Sequence, residues 1–200
     1  SGYWLSSSII VILSLWGITI PEPLYFCLVL ILAVGIPHGA LDAVIIACER
    51  NSTRSITYVI CLYLSIIGLC YLAWYWASYW VLWLLLLSSA YHFGADWEQQ
   101  AITRILVGTG LLSSMYIFHP LETLNWLSQI APSIQATPYL YILTSMSFLA
   151  YIWIVAIKLY QGESQYSECL MLIIMSKLLG PISFFTLYFC TLHSPRHYHY

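Results

Sequence analysis

The sequence predicts an all-α protein, a polytopic bundle of transmembrane helices, and two observations lead to this class. Of its 200 residues, 61% are hydrophobic and only 7% are charged, whereas soluble domains usually carry about 25% charged residues. The hydrophobic residues also form long runs, and a helix needs about 20 mostly apolar residues to cross a bilayer. Because no repeat or linker divides the chain, we expect one integral-membrane helical domain over residues 1–200.

About seven apolar segments follow one another along the chain. They cover residues 3–20, 23–47, 56–76, 78–96, 101–118, 138–160 and 168–192. The first is expected to be a retained helix rather than a signal peptide, because no basic region precedes it. Gly180 and Pro181 interrupt the seventh, and proline inside a helix removes a backbone hydrogen bond. This last segment is therefore one broken helix or two short ones.

The basic residues predict how the bundle is oriented. Arg50 and Arg54 follow the second segment, Arg104 follows the fourth and Lys158 ends the sixth. Loops rich in Lys and Arg stay on the cytoplasmic side of a membrane. We therefore expect a multi-pass protein of the cell membrane whose N-terminus and even-numbered connections face the cytoplasm.

Charge and cysteine content exclude several classes of partner. Six basic and eight acidic residues give a net charge of -2, too little positive charge for a nucleic-acid groove or a polybasic lipid-binding patch. The six cysteines lie in or beside apolar segments without a C-x-x-C pair, and we interpret them as packing residues. The expected surroundings are the lipid bilayer and apolar molecules, and the oligomeric state is left open.

Three pairs of ionisable residues, each four apart, interrupt the apolar segments. Four residues make about one helical turn, so the members of a pair share a helix face. An aspartate near the centre of a bilayer costs about 2.5 to 3.5 kcal/mol, and such residues usually mark function. The pairs are His38 with Asp42, His92 with Asp96, and His193 with His197.

One buried metal site explains all three pairs. Neutral imidazole binds iron, zinc or copper, and a ligating histidine usually donates its other N–H to a carboxylate. We therefore predict that Asp42 and Asp96 orient His38 and His92. The third pair has the spacing with which the H-E-x-x-H motif holds zinc, although Pro195 lies inside it. The predicted metal ligands are His38, His92, His193 and His197.

The residues by themselves leave other functions open. Histidines with carboxylates also suit a zinc-dependent intramembrane hydrolase. About seven helices with Lys177 in the last segment suit a retinal-binding, opsin-like protein, although that function leaves the histidines unexplained. A bis-histidine haem carrier is a third alternative. Arg196 either tunes the site electrostatically or extends its head group to the interface, and His119 suits a helix cap.

Four short segments resemble the bacteriorhodopsin-related-protein and Blh family of membrane β-carotene cleavage enzymes. They are P-H-G-A-L-D at residues 37–42, S-A-Y-H-F-G-A-D at 89–96, F-H-P-L-E at 118–122 and H-S-P-R-H at 193–197. The resemblance begins near residue 20 and runs to the end of the chain. It implies an iron(II)-dependent dioxygenase that uses molecular oxygen to split β-carotene at its central 15,15′ double bond into two molecules of retinal.

The resemblance also implies roles for individual residues. The four histidines match the positions regarded as iron ligands in that family, and Fe(II) is the cofactor implied. We assign no acid-base catalyst, since no amino-acid nucleophile is needed. Family members continue with further hydrophobic helices after the H-S-x-R-H segment, so the chain is expected to lack C-terminal helices.

Overall fold

A computed structural model describes residues 2–15, 24–35, 53–132, 134 and 138–197, and within them all regular structure is helical. This confirms the predicted all-α class. In chain order the elements are α1 (Gly2–Leu15), α2 (Leu24–Gly35), α3 (Thr53–Gly94), α4 (Ala101–Phe118), α5 (Pro120–Ile130), α6 (Pro138–Tyr160), α7 (Tyr166–Leu178), α8 (Pro181–Tyr188), a π-helix (Phe189–His193) and α9 (Ser194–His197).

The helix bounds follow the apolar runs closely. Helices α4 and α6 coincide with the predicted segments 101–118 and 138–160. Helix α3 covers the third and fourth segments, and its backbone leaves helical geometry at Ala77 (φ -146, ψ 46), where the sequence predicts the boundary. Extended backbone at Leu179 and Gly180 separates α7 from α8, so the seventh segment is two helices.

Helix α5 was not predicted. Its 11 residues are too few to cross a bilayer, so a search for spanning segments passes over it. Pro120 opens the helix, a position at which the missing N–H has no intrahelical partner to lose. The helix is joined to the end of α4, because the Thr123 hydroxyl donates to the Met115 carbonyl at 3.1 Å.

Helix α4 lies at the centre and packs between α3 and α6 through glycines. A Cβ atom on Gly108 would lie 1.8 Å from the Ala90 carbonyl oxygen of α3, and one on Gly110 would lie 2.1 Å from Tyr151 Cβ of α6. Small residues let membrane helices approach this closely. The described core continues through α1, α7 and α8.

The outer faces of the long helices are apolar. Leu64 of α3 is 61% exposed, Trp76 of α3 is 82% exposed and Tyr139 of α6 is 83% exposed. Among the described residues, three helical stretches are long and apolar enough to cross a membrane: Ile60–Gly94, Ala101–Phe118 and Pro138–Tyr160. Large apolar faces of this kind suit contact with lipid rather than water, which indicates a membrane protein.

Candidate metal centre

His92 and Asp96 lie where α3 ends. His92 is in the last turn of the helix, and its carbonyl accepts the N–H of Ala95 at 3.2 Å. The N–H of Asp96 then donates to the Phe93 carbonyl at 3.2 Å. These hydrogen bonds continue the helical path for one turn beyond α3, so the carboxylate of Asp96 lies one turn past His92.

His193 ends the π-helix that follows α8. The N–H of Ser194 donates to the carbonyl of Phe189, five residues earlier, rather than four as in an α-helix. Pro195 has no N–H to donate to the Thr191 carbonyl, so the regular ladder cannot continue here. The wider turn carries the His193 side chain into the interior, where its exposed fraction is 0%.

The two histidines meet although 101 positions separate them. His193 Nε2 lies 3.1 Å from His92 Nε2, and His193 Nδ1 lies 3.0 Å from Asp96 Oδ2. Because a carboxylate can only accept a hydrogen bond, Nδ1 of His193 donates to Asp96. In the neutral ring this leaves a lone pair on His193 Nε2, and that lone pair faces His92.

Asp96 contacts a histidine that the sequence did not pair with it. Its partner is His193, from a distant segment, whereas the spacing of four had assigned it to His92. Its role as an orienting carboxylate for a metal ligand stays a prediction, and the partner that the structure gives it is His193.

Tyr188 is a site residue that the sequence did not reveal. Its hydroxyl donates to Asp96 Oδ2 at 2.8 Å, so the same oxygen accepts hydrogen bonds from Tyr188 and His193. Tyr188 is 1% exposed; the ring of Trp97 stacks on it at 6.1 Å, and that of Phe93 meets it edge-on at 5.3 Å. A tyrosine inside an apolar run carries no sequence signal of such a role.

The side-chain positions of the other predicted site residues are not described by the structure. His38 and Asp42 lie outside the described residues, and His197 is described only as the last residue of α9, without its side chain. Within the described part of the chain, no three His, Cys, Asp or Glu side chains form a group that could hold a metal ion. The structure thus brings together two of the four predicted ligands, and the full ligand set stays a prediction.

Polar contacts also hold Glu98, which lies in the turn after α3, two residues beyond Asp96. Tyr166 donates a hydrogen bond to the Glu98 carboxylate, and the Lys158 ammonium lies 3.3 Å from the same carboxylate. Burial, and secondly the hydrogen bond with Glu98, raise the pKa of Tyr166, which therefore stays neutral and donates. Arg104 Nε adds a hydrogen bond to the Glu98 carbonyl at 3.1 Å.

An apolar cavity lies on another side of α3. It has a volume of about 220 Å³ and is lined by residues of α3, α4, α5 and α6. Its α3 residues, Trp83, Leu86 and Leu87, precede His92 by nine, six and five residues, which places them about 180°, 240° and 140° around the helix from it. The cavity therefore faces away from the histidines.

An opsin-like function would require Lys177 to carry the chromophore. Lys177 is exposed on α7. A Schiff-base chromophore needs a pocket around the lysine that carries it, and the described part of the bundle does not enclose Lys177. The described residues therefore give the opsin-like alternative no support.

Comparison with known proteins assigns the chain to a family. The family model described as beta-carotene 15,15'-dioxygenase matches residues 29–199. The chain belongs to this family. A beta-carotene 15,15'-dioxygenase from an uncultured marine bacterium, 66A03, is 28% identical over 188 residues, which cover 86% of this chain and 66% of the relative. The chain thus spans slightly less than two thirds of that relative's length. No solved structure matches the chain.

The match to the β-carotene 15,15′-dioxygenase family includes every residue predicted for the metal site. His38 is the first of these and His197 the last, and both lie within residues 29–199. The resemblance stated from the short segments is therefore confirmed at the level of the family.

Proposed function

We propose that this chain holds the metal site of an iron(II)-dependent membrane dioxygenase that splits β-carotene at its 15,15′ double bond into two molecules of retinal. Membership of the family supports the reaction, and one observation supports the position of the metal site. That observation is the 3.1 Å approach of the Nε2 atoms of His92 and His193, with a carboxylate on the other nitrogen of His193.

The separation of the two nitrogens fits two ligands of one metal ion. With metal–nitrogen bonds of about 2.1 Å, as for zinc and histidine, one ion could bind two nitrogens that lie 3.1 Å apart. Nitrogens on opposite sides of a metal would instead lie about 4.2 Å apart at the same bond length. The pair therefore suits neighbouring ligands and does not suit the two axial ligands of a haem.

The donor set suits iron(II). Imidazole nitrogens bind iron readily, and the proposed set consists of His92 and His193 with His38 and His197 as the remaining ligands. Four neutral histidines leave the ion its +2 charge and, in a five- or six-coordinate ion, an open position. Bound iron would supply the activation of molecular oxygen, which no amino-acid side chain provides.

The residues around His193 have a defined task in this proposal. Asp96 accepts a hydrogen bond from Nδ1–H of His193 and thereby keeps the lone pair of Nε2 available for the metal. Tyr188 holds the carboxylate in place through a second hydrogen bond to the same oxygen. The rings of Phe93 and Trp97 pack against Tyr188 and exclude water from this side of the site.

The proposed location is the cell membrane, crossed several times, with the N-terminus in the cytoplasm. β-Carotene is a hydrocarbon without a polar group, so it dissolves in the bilayer and must reach the site from lipid. Three apolar helices of sufficient length support this location. A hydrophobic slot that places the central double bond near the metal would give regioselectivity by proximity and orientation.

The proposal is tested by retinal formation in carotene-accumulating cells. We expect retinal from cells that express the chain and none from cells that express His92→Ala or His193→Ala, because each change removes a ligand. His119→Ala is the matched control, since His119 lies at the end of α4 away from the turn after α3. It should leave retinal formation unchanged.

Metal analysis of the purified proteins completes the test. The parent and His119→Ala should retain iron, and His92→Ala and His193→Ala should lose it. A histidine variant that keeps full iron and full activity would remove that residue from the ligand set. Zinc in the parent, together with turnover that needs no oxygen, would favour the zinc-dependent hydrolase over the dioxygenase.

A further inference from the structure

One arginine connects the two segments that carry the histidine pair. We propose that Arg196 is a positioning residue that holds Asp96 where it accepts the hydrogen bond of His193, and that Glu168 in turn fixes the arginine. The consequence for iron binding rests on the function proposed above. The positioning itself can be measured without any metal.

Arg196 reaches from the segment of His193 to that of Asp96. It follows His193 by three residues, and its Nη1 donates to the carbonyl oxygen of Asp96 at 3.2 Å. Its guanidinium carbon lies 5.2 Å from the ring centroid of Trp97, within the range of a cation–π interaction. Both partners belong to the turn after α3, so one side chain contacts the backbone carbonyl of Asp96 and the ring of Trp97.

Glu168 fixes the other side of the guanidinium. Its carboxylate accepts a hydrogen bond from Nη2 of Arg196, and the side chains of the pair are 27% and 18% exposed. Glu168 lies in the first turn of α7, and its carbonyl accepts the hydroxyl of Tyr3 from α1 at 3.1 Å. The arginine is therefore bonded to α7, which Tyr3 connects to α1, as well as to the turn.

These contacts argue against one of the two roles that the sequence left open for Arg196, an extension of its head group to the membrane interface. A side chain that extends to the membrane interface keeps its charged head in water, whereas this head group has three protein partners. The planar guanidinium directs separate N–H groups at Asp96 and Glu168 in fixed directions, and an ammonium group cannot reproduce that geometry. Arg196→Lys should therefore keep the charge but lose the positioning.

The experiment observes the hydrogen bond between His193 and Asp96 directly. The parent, labelled with ¹⁵N-histidine and held in detergent without metal, should show a low-field proton resonance from Nδ1–H of His193. Loss of the resonance in His193→Gln assigns it. In Arg196→Gln we expect this proton to exchange with water at least about tenfold faster, the equivalent of one lost hydrogen bond.

Two further arginine variants keep the result interpretable. Arg196→Lys keeps the positive charge and serves as a second variant in case Arg196→Gln fails to fold. Its His193 proton should exchange with water at a similarly increased rate. Arg104→Gln is the matched control, because Arg104 donates to the same turn, but at the Glu98 carbonyl. It should change the exchange rate less than twofold.

The outcomes separate the two proposals. A lowered melting temperature in Arg196→Lys, with the exchange rate of the His193 proton unchanged, would show that Arg196 only stabilises the fold and would overturn the inference. Equal acceleration in Arg104→Gln would also overturn it. A parent that binds no iron, but whose His193 proton responds to Arg196→Lys as expected, would refute the proposed function and leave the positioning role intact.

Discussion

Two regions of the molecule hold helices together in opposite ways. At the interface of α3, α4 and α6, side chains are removed: Gly94, Gly108 and Gly110 allow backbone or Cβ atoms of a neighbour to occupy the space of a side chain. Beside it lies the histidine corner, which we define as His92, Asp96, Tyr188 and His193. There, polar side chains are added to an apolar interior, and the hydrogen bonds between them satisfy their polar groups.

The difference shows how structure and chemistry are separated in this bundle. Close helix contact through glycine is a general solution for packing in lipid, where small residues replace the hydrophobic effect as the cause of association. A buried aspartate is costly and stays only where partners compensate it. Changes at the glycine interface should therefore affect folding first, whereas changes in the histidine corner should affect metal binding first.

The largest effect is expected from a methyl group in the glycine interface. In Gly108→Ala, the new Cβ would lie 1.8 Å from the backbone oxygen of Ala90, which cannot move as a flexible side chain could. We expect a loss of about 3 kcal/mol or more in the free energy of unfolding, at the upper end of overpacking costs. Thermal unfolding in detergent measures it.

The matched control is another glycine in a helix. Gly68 lies in α3, and a Cβ atom added there would meet no described neighbour within 4 Å. Gly68→Ala should change stability by no more than about 1 kcal/mol, and in the favourable direction, because alanine favours helix more than glycine does. Equal destabilisation by both substitutions would mean that close contact is not what the glycine at 108 provides.

The next largest effect concerns Asp96. Asp96→Asn keeps the size of the side chain but removes its negative charge, which strengthens the hydrogen bond from Nδ1–H of His193. We expect iron affinity and retinal formation to fall about 10- to 100-fold, as is typical when the partner of a metal-ligating histidine is changed. The melting temperature should fall less than in Gly108→Ala. A larger loss of stability than of iron affinity would place Asp96 with the packing residues instead.

The sequence predicts the bounds of the packed helices more completely than the contacts of the histidine corner. The bounds of α4 and α6 and the break at Ala77 follow from the lengths of apolar runs, so composition alone was sufficient. The spacing of His92 and Asp96 correctly placed both near one helix end. It could not show that the carboxylate bonds to His193, 97 positions away, because spacing tells which side chains share a face and not which element lies opposite.

A smaller effect is expected from the hydroxyl of Tyr188. Tyr188→Phe removes one of two hydrogen bonds to Asp96 Oδ2 and leaves the ring in its contacts with Phe93 and Trp97. One hydrogen bond contributes about 0.5 to 1.5 kcal/mol, so iron affinity should fall about two- to tenfold. Iron titration of the purified variant measures this. An unchanged affinity would show that the Tyr188 hydroxyl is not needed to keep the carboxylate in place.

The smallest effect is expected at Lys158, which tests where the histidine corner ends. Lys158 contacts the Glu98 carboxylate at 3.3 Å and that of Glu163 at 3.1 Å, but it is partly exposed. Such ion pairs contribute about 0 to 1 kcal/mol, and Glu98 keeps the hydrogen bond from Tyr166. Lys158→Gln should therefore change iron affinity less than twofold. A tenfold loss would mean that the whole turn from Asp96 to Glu98 acts as one unit, so that the polar contacts at its far end belong to the metal centre as much as those at Asp96.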